Sequence, residues 1–155
     1  MPNWLHLFTN LIYHLGLAVW IGGTVALGAL VAPRLFRELP RTEAGALFGA
    51  ILRRFARVRL VALVASMAAA GVKHVLWEQN TIWIAVRWAA LLIMAGALLY
   101  ELSSLEWELE ARRSHLTPEM GDDHPHRRAF QRLHERAEAV LKTSVVAALV
   151  AMFFS

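Results

Sequence analysis

Seven histidines and no cysteine set the chemistry available to this 155-residue chain. Without thiols there is no disulfide, no thiolate metal site, no iron–sulfur cluster and no cysteine nucleophile. His14 lies about six residues into an apolar run that starts near Phe8, roughly 9 Å along a helix rising 1.5 Å per residue. An ionisable side chain inside a membrane span is costly and is by default a functional candidate. His74 lies near the end of a second apolar run and Arg87 near the start of a third. If the chain turns back near residue 44 and again near residue 80, then His14, His74 and Arg87 share one depth. Two neutral imidazoles on facing helices suit copper or haem iron. Copper needs its ligand nitrogens a few ångströms apart. Haem b needs a slot for the macrocycle, with Arg87 near a propionate. A hydrogen-bonded structural histidine is the alternative at both positions.

The other polar residues suggest less chemistry. His6 belongs to a short tail. His115, His124 and His126, with Asp122 and Asp123, fit no defensible metal spacing and read as a solvated loop. Arg34, Arg54, Glu106 and His134 fall near one level at the basic end and could form a polar clasp, with a solvated positive rim as the alternative. There is no Gly-rich phosphate loop, HExxH or GxSxG. No acidic residue lies in the middle of an apolar run, which argues against a carboxylate-driven pump.

The elements that must position these residues are helices in lipid. Hydrophobic residues make up 57% of the chain and charged ones 18%, against about 25% charged in soluble domains. Mean hydropathy is +0.45. Four apolar runs, 8–32, 58–77, 82–102 and 137–154, each have about the length a crossing helix needs. The last carries Glu138 and Lys142, spaced to pair with each other. The reading is all-α: a single membrane domain over 1–155, a polytopic four-helix up-down bundle with helices extending into the cytoplasm. No strand signal, internal repeat or low-complexity tract appears.

Of sixteen Lys and Arg residues, only Lys73 and Arg87 fall outside the two long connections and their edges. The positive-inside rule then places both long loops in the cytoplasm and both termini outside, in a bacterial cytoplasmic membrane. The net charge of +4 thus reports topology rather than nucleic acid. Trp4, Trp77, Trp83 and Trp88 mark the outer interface and Trp107 the inner one. Pro33 and Pro40 bracket a bend, and Thr42 could cap a helix continuing through Arg53. The third helix should run on to about Ser114, with a new one starting after Pro125.

Small residues recur every four positions on two helices: His14, Ala18, Gly22 and Ala26 on the first, and Ala62, Ser66, Ala70 and His74 on the second. Such stripes let membrane helices approach closely, and these two are expected to face each other. Ala89, Ile93, Gly96 and Leu99 form a face left for lipid or a second subunit.

The run His14-Leu-Gly-Leu-Ala-Val-Trp20-Ile-Gly22-Gly23, then Ala32-Pro33-Arg-Leu-Phe36, Leu39-Pro40 and Ala44-Gly45, resembles the transmembrane-protein-205-like domain of unknown function family. Phe130-Gln-Arg-Leu-His134 adds to that resemblance, which implies a four-span helical protein of poorly defined biochemistry. The His14 to Gly23 piece is also similar to the copper resistance protein D membrane domain, which implies metal handling, carried only by His14. The expected function is a membrane protein binding copper or haem b near its outer face through His14 and His74, with Arg87 as an electrostatic neighbour. The alternatives are a non-catalytic structural or assembly subunit, with homo-oligomerisation through the small-residue faces, and a haem-dependent redox enzyme. The lipid bilayer is the one partner the composition requires.

Overall fold

A computed structural model describes residues 3–105 and 125–155 of the chain. Helix α1 (Asn3–Ala26) passes through a π-turn at Leu27–Val31 into α2 (Ala32–Glu38). Pro33 and Pro40 bracket a bend at Leu39, as expected, and the chain is helical through Pro33. Pro33 occupies the first turn of α2, and the wider turn ahead of it accommodates a ring that would crowd the preceding carbonyl of a regular helix. The break comes at Leu39, extended at φ −119° and ψ 152°, where the following Pro40 disfavours the helical region. Pro40 then caps α3 (Arg41–Leu76), whose Ala44 N–H donates to the Pro40 carbonyl at 2.9 Å. Thr42 therefore lies inside the first turn and is not the cap.

At the far end of α3, the Lys73 carbonyl accepts from both Trp77 and Glu78 N–H, at 2.9 and 3.2 Å. A short turn leads into α4 (Ile82–Tyr100), which runs into a second π-turn at Glu101–Leu105. The continuation expected towards Ser114, and the expected loop up to His124, lie outside the described residues. Helix α5 (Pro125–Phe153) begins where a new helix was expected, and Lys142 pairs with Glu138 at 2.7 Å.

Helix α1 packs most extensively on α3, and α4 on α5. Contacts between α1 and α5 and between α3 and α4 close the bundle. Among the described residues, three helical stretches are long and apolar enough to cross a membrane: Asn3–Glu38, Arg41–Leu76 and Ile82–Ser103. The core is built from Tyr13, Leu17, Trp20, Leu63, Leu91, Met94, Leu98 and Ala148. Large apolar side chains also cover the outside, with Leu30 71%, Val61 69% and Val75 79% exposed. An apolar exterior on that scale belongs in lipid. The chain is an all-α integral membrane protein.

The hairpin turns at Leu39–Pro40 and not near residue 44, so the α1–α3 register differs from the expected one. Tyr13 meets Ser66, whose hydroxyl donates to the Tyr13 carbonyl at 3.2 Å. Further along, Arg59 lies over Trp20, and Gly23 faces Phe55. Ala62, Ser66 and Ala70 of the expected α3 stripe are buried. The α1 stripe is not: Ala18 and Gly22 are exposed, while Thr9, Tyr13, Gly16, Leu17, Trp20 and Thr24 face inward. The close approach is made by Gly16. A Cβ there would lie 2.2 Å from Ser66 Oγ and 2.7 Å from the Ala62 carbonyl oxygen, whereas one on Gly22 would meet nothing within 4 Å.

Gly16→Ala should therefore lower the thermal unfolding midpoint in detergent, at a cost of about 1–3 kcal/mol from overpacking. Gly22→Ala should leave it unchanged. Equal effects from the two would show that this register is wrong.

Candidate functional site

The α3–α4 turn folds Glu78 back over the end of the bundle, where it meets charges from two helices. Arg87 of α4 grips its carboxylate with both terminal nitrogens: Nη1 donates to Oε1 at 2.6 Å and Nη2 to Oε2 at 2.5 Å. Paired donors of this kind are the strongest form of side-chain ion contact. Lys73 of α3 stands further off, 3.8 Å from Oε1. Lys73 and Arg87 are both buried, and both lie over the Tyr13 ring of α1, at 5.1 and 5.9 Å from its centre. The Tyr13 hydroxyl in turn donates to the Ala151 carbonyl of α5 at 2.6 Å. One cluster thus engages all four long helices.

Burial tends to raise the Glu78 carboxyl. The hydrogen bond from Arg87 and the charges of Arg87, Lys73 and His74 outweigh it and hold the group below the ordinary carboxylate range. Glu78 therefore stays ionised at neutral pH.

A second charged layer lies fourteen residues away on both α3 and α4, roughly 21 Å along either helix. There Arg59 pairs with Glu101. The Arg59 guanidinium carbon lies 5.3 Å from the centre of the Trp20 ring and 5.5 Å from that of Phe55. Charges inside a span are expected to face the bundle interior and pair with one another, and both layers do so.

The histidines sit at the rim of the Glu78 cluster. The Asn10 carbonyl lies 2.8 Å from His14 Nδ1. A carbonyl can only accept, so Nδ1–H donates, and the Ser155 hydroxyl that faces Nε2 itself donates to the Met152 carbonyl at 2.9 Å. Nε2 lies 2.9 Å from the Ser155 hydroxyl. His74 Nδ1 is buried without a hydrogen-bond partner. Among the described residues no hydrogen bond or ring contact joins His14 to His74, and Arg87 serves Glu78 rather than either histidine. His6 stacks edge-on against Trp77 with ring centres 5.1 Å apart, and Trp83 stacks on Phe154 at 5.0 Å. These rings gather aromatic side chains at the Glu78 end.

Of the expected clasp, Arg34, Arg54 and His134 are among the described residues. Arg34 pairs with Glu38 one turn on, at 2.7 Å on the surface. Arg54 is exposed and His134 lies on an exposed part of α5, while Glu106 is outside the described residues. The charged contact between helices at this end is made by Arg59 and Glu101. Sequence reasoning assigned no role to Tyr13, Lys73 or Glu78. The available signal was charge balance, because Lys73 and Arg87 flank a turn whose one acidic residue is Glu78.

Imidazole nitrogens suit copper. Haem between α1 and α3 is a poorer fit, because Gly16 and Ser66 close that interface without room for a macrocycle. Among the described residues no group of three or more His, Asp and Glu side chains is arranged to hold a metal ion.

Residues 15–111 match a family model described as Domain of unknown function (DUF4149). His74 and Arg87 fall inside that segment, and His14 lies one residue before it. No curated protein and no solved structure matches the chain.

Glu78→Gln should destabilise the bundle by about 3–5 kcal/mol, because it leaves Arg87 buried without a counter-charge. Arg87→Met in the same chain should recover part of the loss. A double variant no more stable than Glu78→Gln would show that the pair does not act as a unit. The pH dependence has a definite sign. A carboxylate held low contributes stability above its unfolded pKa, and that contribution is lost as pH falls through the folded value. Thermal scans should show wild type losing stability below about pH 4, the ordinary carboxylate range, with a smaller loss in Glu78→Gln.

Proposed function

Since the chain belongs to the Domain of unknown function (DUF4149) family, whose description names no activity, we propose a role from the geometry: a structural or assembly subunit of a membrane. One observation carries this reading. The buried charges at both layers are satisfied by one another, while small-residue faces point outward. Ala89, Ile93, Gly96 and Leu99 are all exposed on α4, and neither Gly96 nor Gly22 has anything within 4 Å of a Cβ built there. Helices in lipid associate through such faces because small residues let backbones approach. A second copy of this chain is the partner in this proposal. In this reading the apolar half of α5 is a fourth span. Both long connections are cytoplasmic and both termini lie outside, in keeping with the distribution of Lys and Arg.

Gly22→Leu and Gly96→Leu test it, because the fold has room for both side chains. In liposomes, energy transfer between labelled wild-type chains should rise with the protein-to-lipid ratio. It should fall in the variants while their unfolding midpoints stay at the wild-type value. A wild-type chain that stays monomeric at every ratio overturns homo-assembly.

A second reading, copper held by His14 with His74 as its partner, is supported by the orphaned His74 Nδ1. Copper(I) titration of wild type against His14→Ala separates it, with loss of a stoichiometric site expected in the variant. A reduced-minus-oxidised visible spectrum carrying an α band would favour haem b instead, and with it the redox-enzyme alternative.

A further inference from the structure

The α1–α3 interface opens into a groove of about 380 Å³ just beyond the Arg59 layer, lined by Gly23, Ala26, Leu27, Phe55, Val58 and Arg54, with Ile51 at its far end. Its origin is local. The Phe55 ring lies over Gly23, where a Cβ would come 2.2 Å from the ring. The groove runs from that contact alongside the first residue of the π-turn. Every lining side chain but one is apolar, and the exception is Arg54.

The groove's charge differs from that of both ionic layers. Arg59 and Arg34 have glutamate partners. Arg53, Arg54 and Arg57 are exposed, and none of the three forms an ion pair with another described residue. Along α3, Arg54 lies one turn from Val58, which sets a cation beside the apolar wall of the groove.

We propose that this groove binds one anionic phospholipid, its acyl chain along Gly23, Ala26, Phe55 and Val58 and its phosphate on Arg54. A phosphodiester accepts two parallel N–H bonds from a guanidinium. Three arginines with no counter-charge among the described residues favour a headgroup with net negative charge over a zwitterionic one, whose ammonium they repel. The site goes beyond the assembly reading and does not depend on it.

The test uses the full chain in nanodiscs of equal parts phosphatidylglycerol and phosphatidylcholine, followed by native mass spectrometry of the lipid retained on transfer to detergent. Wild type should keep one phosphatidylglycerol at about fivefold preference. Arg54→Gln should abolish the preference. Ala26→Phe fills the groove while leaving Arg54 in place, and it should expel the lipid. Both variants should unfold at the wild-type midpoint, which separates loss of the site from loss of the fold. Equal retention of the two lipids by wild type overturns the proposal. So does a preference that survives in Ala26→Phe, which would mean a diffuse attraction to the arginines, or displacement of the lipid by inorganic phosphate.

Discussion

The bundle depends on the carboxylate of Glu78. It is the counter-charge for two buried cations, and it reaches them only because the last turn of α3 curls back through the Lys73 carbonyl. Arg87 fixes α4 to that turn, Lys73 fixes α3, and the Tyr13 ring beneath both cations brings in α1. The Tyr13 hydroxyl then reaches the α5 backbone. Desolvating ions is expensive, and mutual attraction offsets the cost only when geometry and hydrogen bonding are good. The two-pronged Arg87 contact meets that condition. Lys73, with one longer contact, meets it less well and depends more on the aromatic face below it.

Between the two charged layers the bundle is held by packing and the Ser66–Tyr13 hydrogen bond. Helices already in lipid gain little from burying apolar surface against one another, so close fit and a few polar contacts have to supply the specificity. Gly16 provides the fit, lying against Ser66 and the Ala62 carbonyl, and the Ser66 hydroxyl bonds back to the Tyr13 carbonyl. The same reasoning explains the exterior, where leucine, valine and isoleucine face out because their surroundings are as apolar as the core.

Much of this architecture was legible in the residues. Apolar run lengths marked the helices, the absence of breakers between Arg41 and Leu76 gave one continuous helix, and Pro125 marked the restart. Ala62, Ser66 and Ala70 pointed to the buried face of α3. On α1 the inward face was harder to find, because a helix apolar all round offers no polar–apolar contrast to read. Ala and Gly are common throughout, so the Ala18–Gly22 stripe looked significant and proved to lie on the outside of the bundle. The better marker was the series Thr9, Tyr13, Trp20 and Thr24, whose polar atoms need shelter and recur at helical spacing. Register was lost with the turn: placing it near residue 44 rather than at Leu39–Pro40 aligned His14 with His74 and hid Tyr13. The Glu78–Arg87 contact crosses only nine residues, but it depends on a turn conformation that no periodicity encodes.

The two charged layers also constrain how the chain enters a membrane. Arg87 follows Glu78 along the sequence, and Glu101 follows Arg59 only at the end of α4. A newly inserted α3 on its own would carry Lys73 and Arg59 into lipid with neither counter-charge fully in place. Neutralisation at both ends requires α4 alongside. The α3–turn–α4 hairpin therefore carries its counter-charges as one unit, each helix supplying ions that the other neutralises.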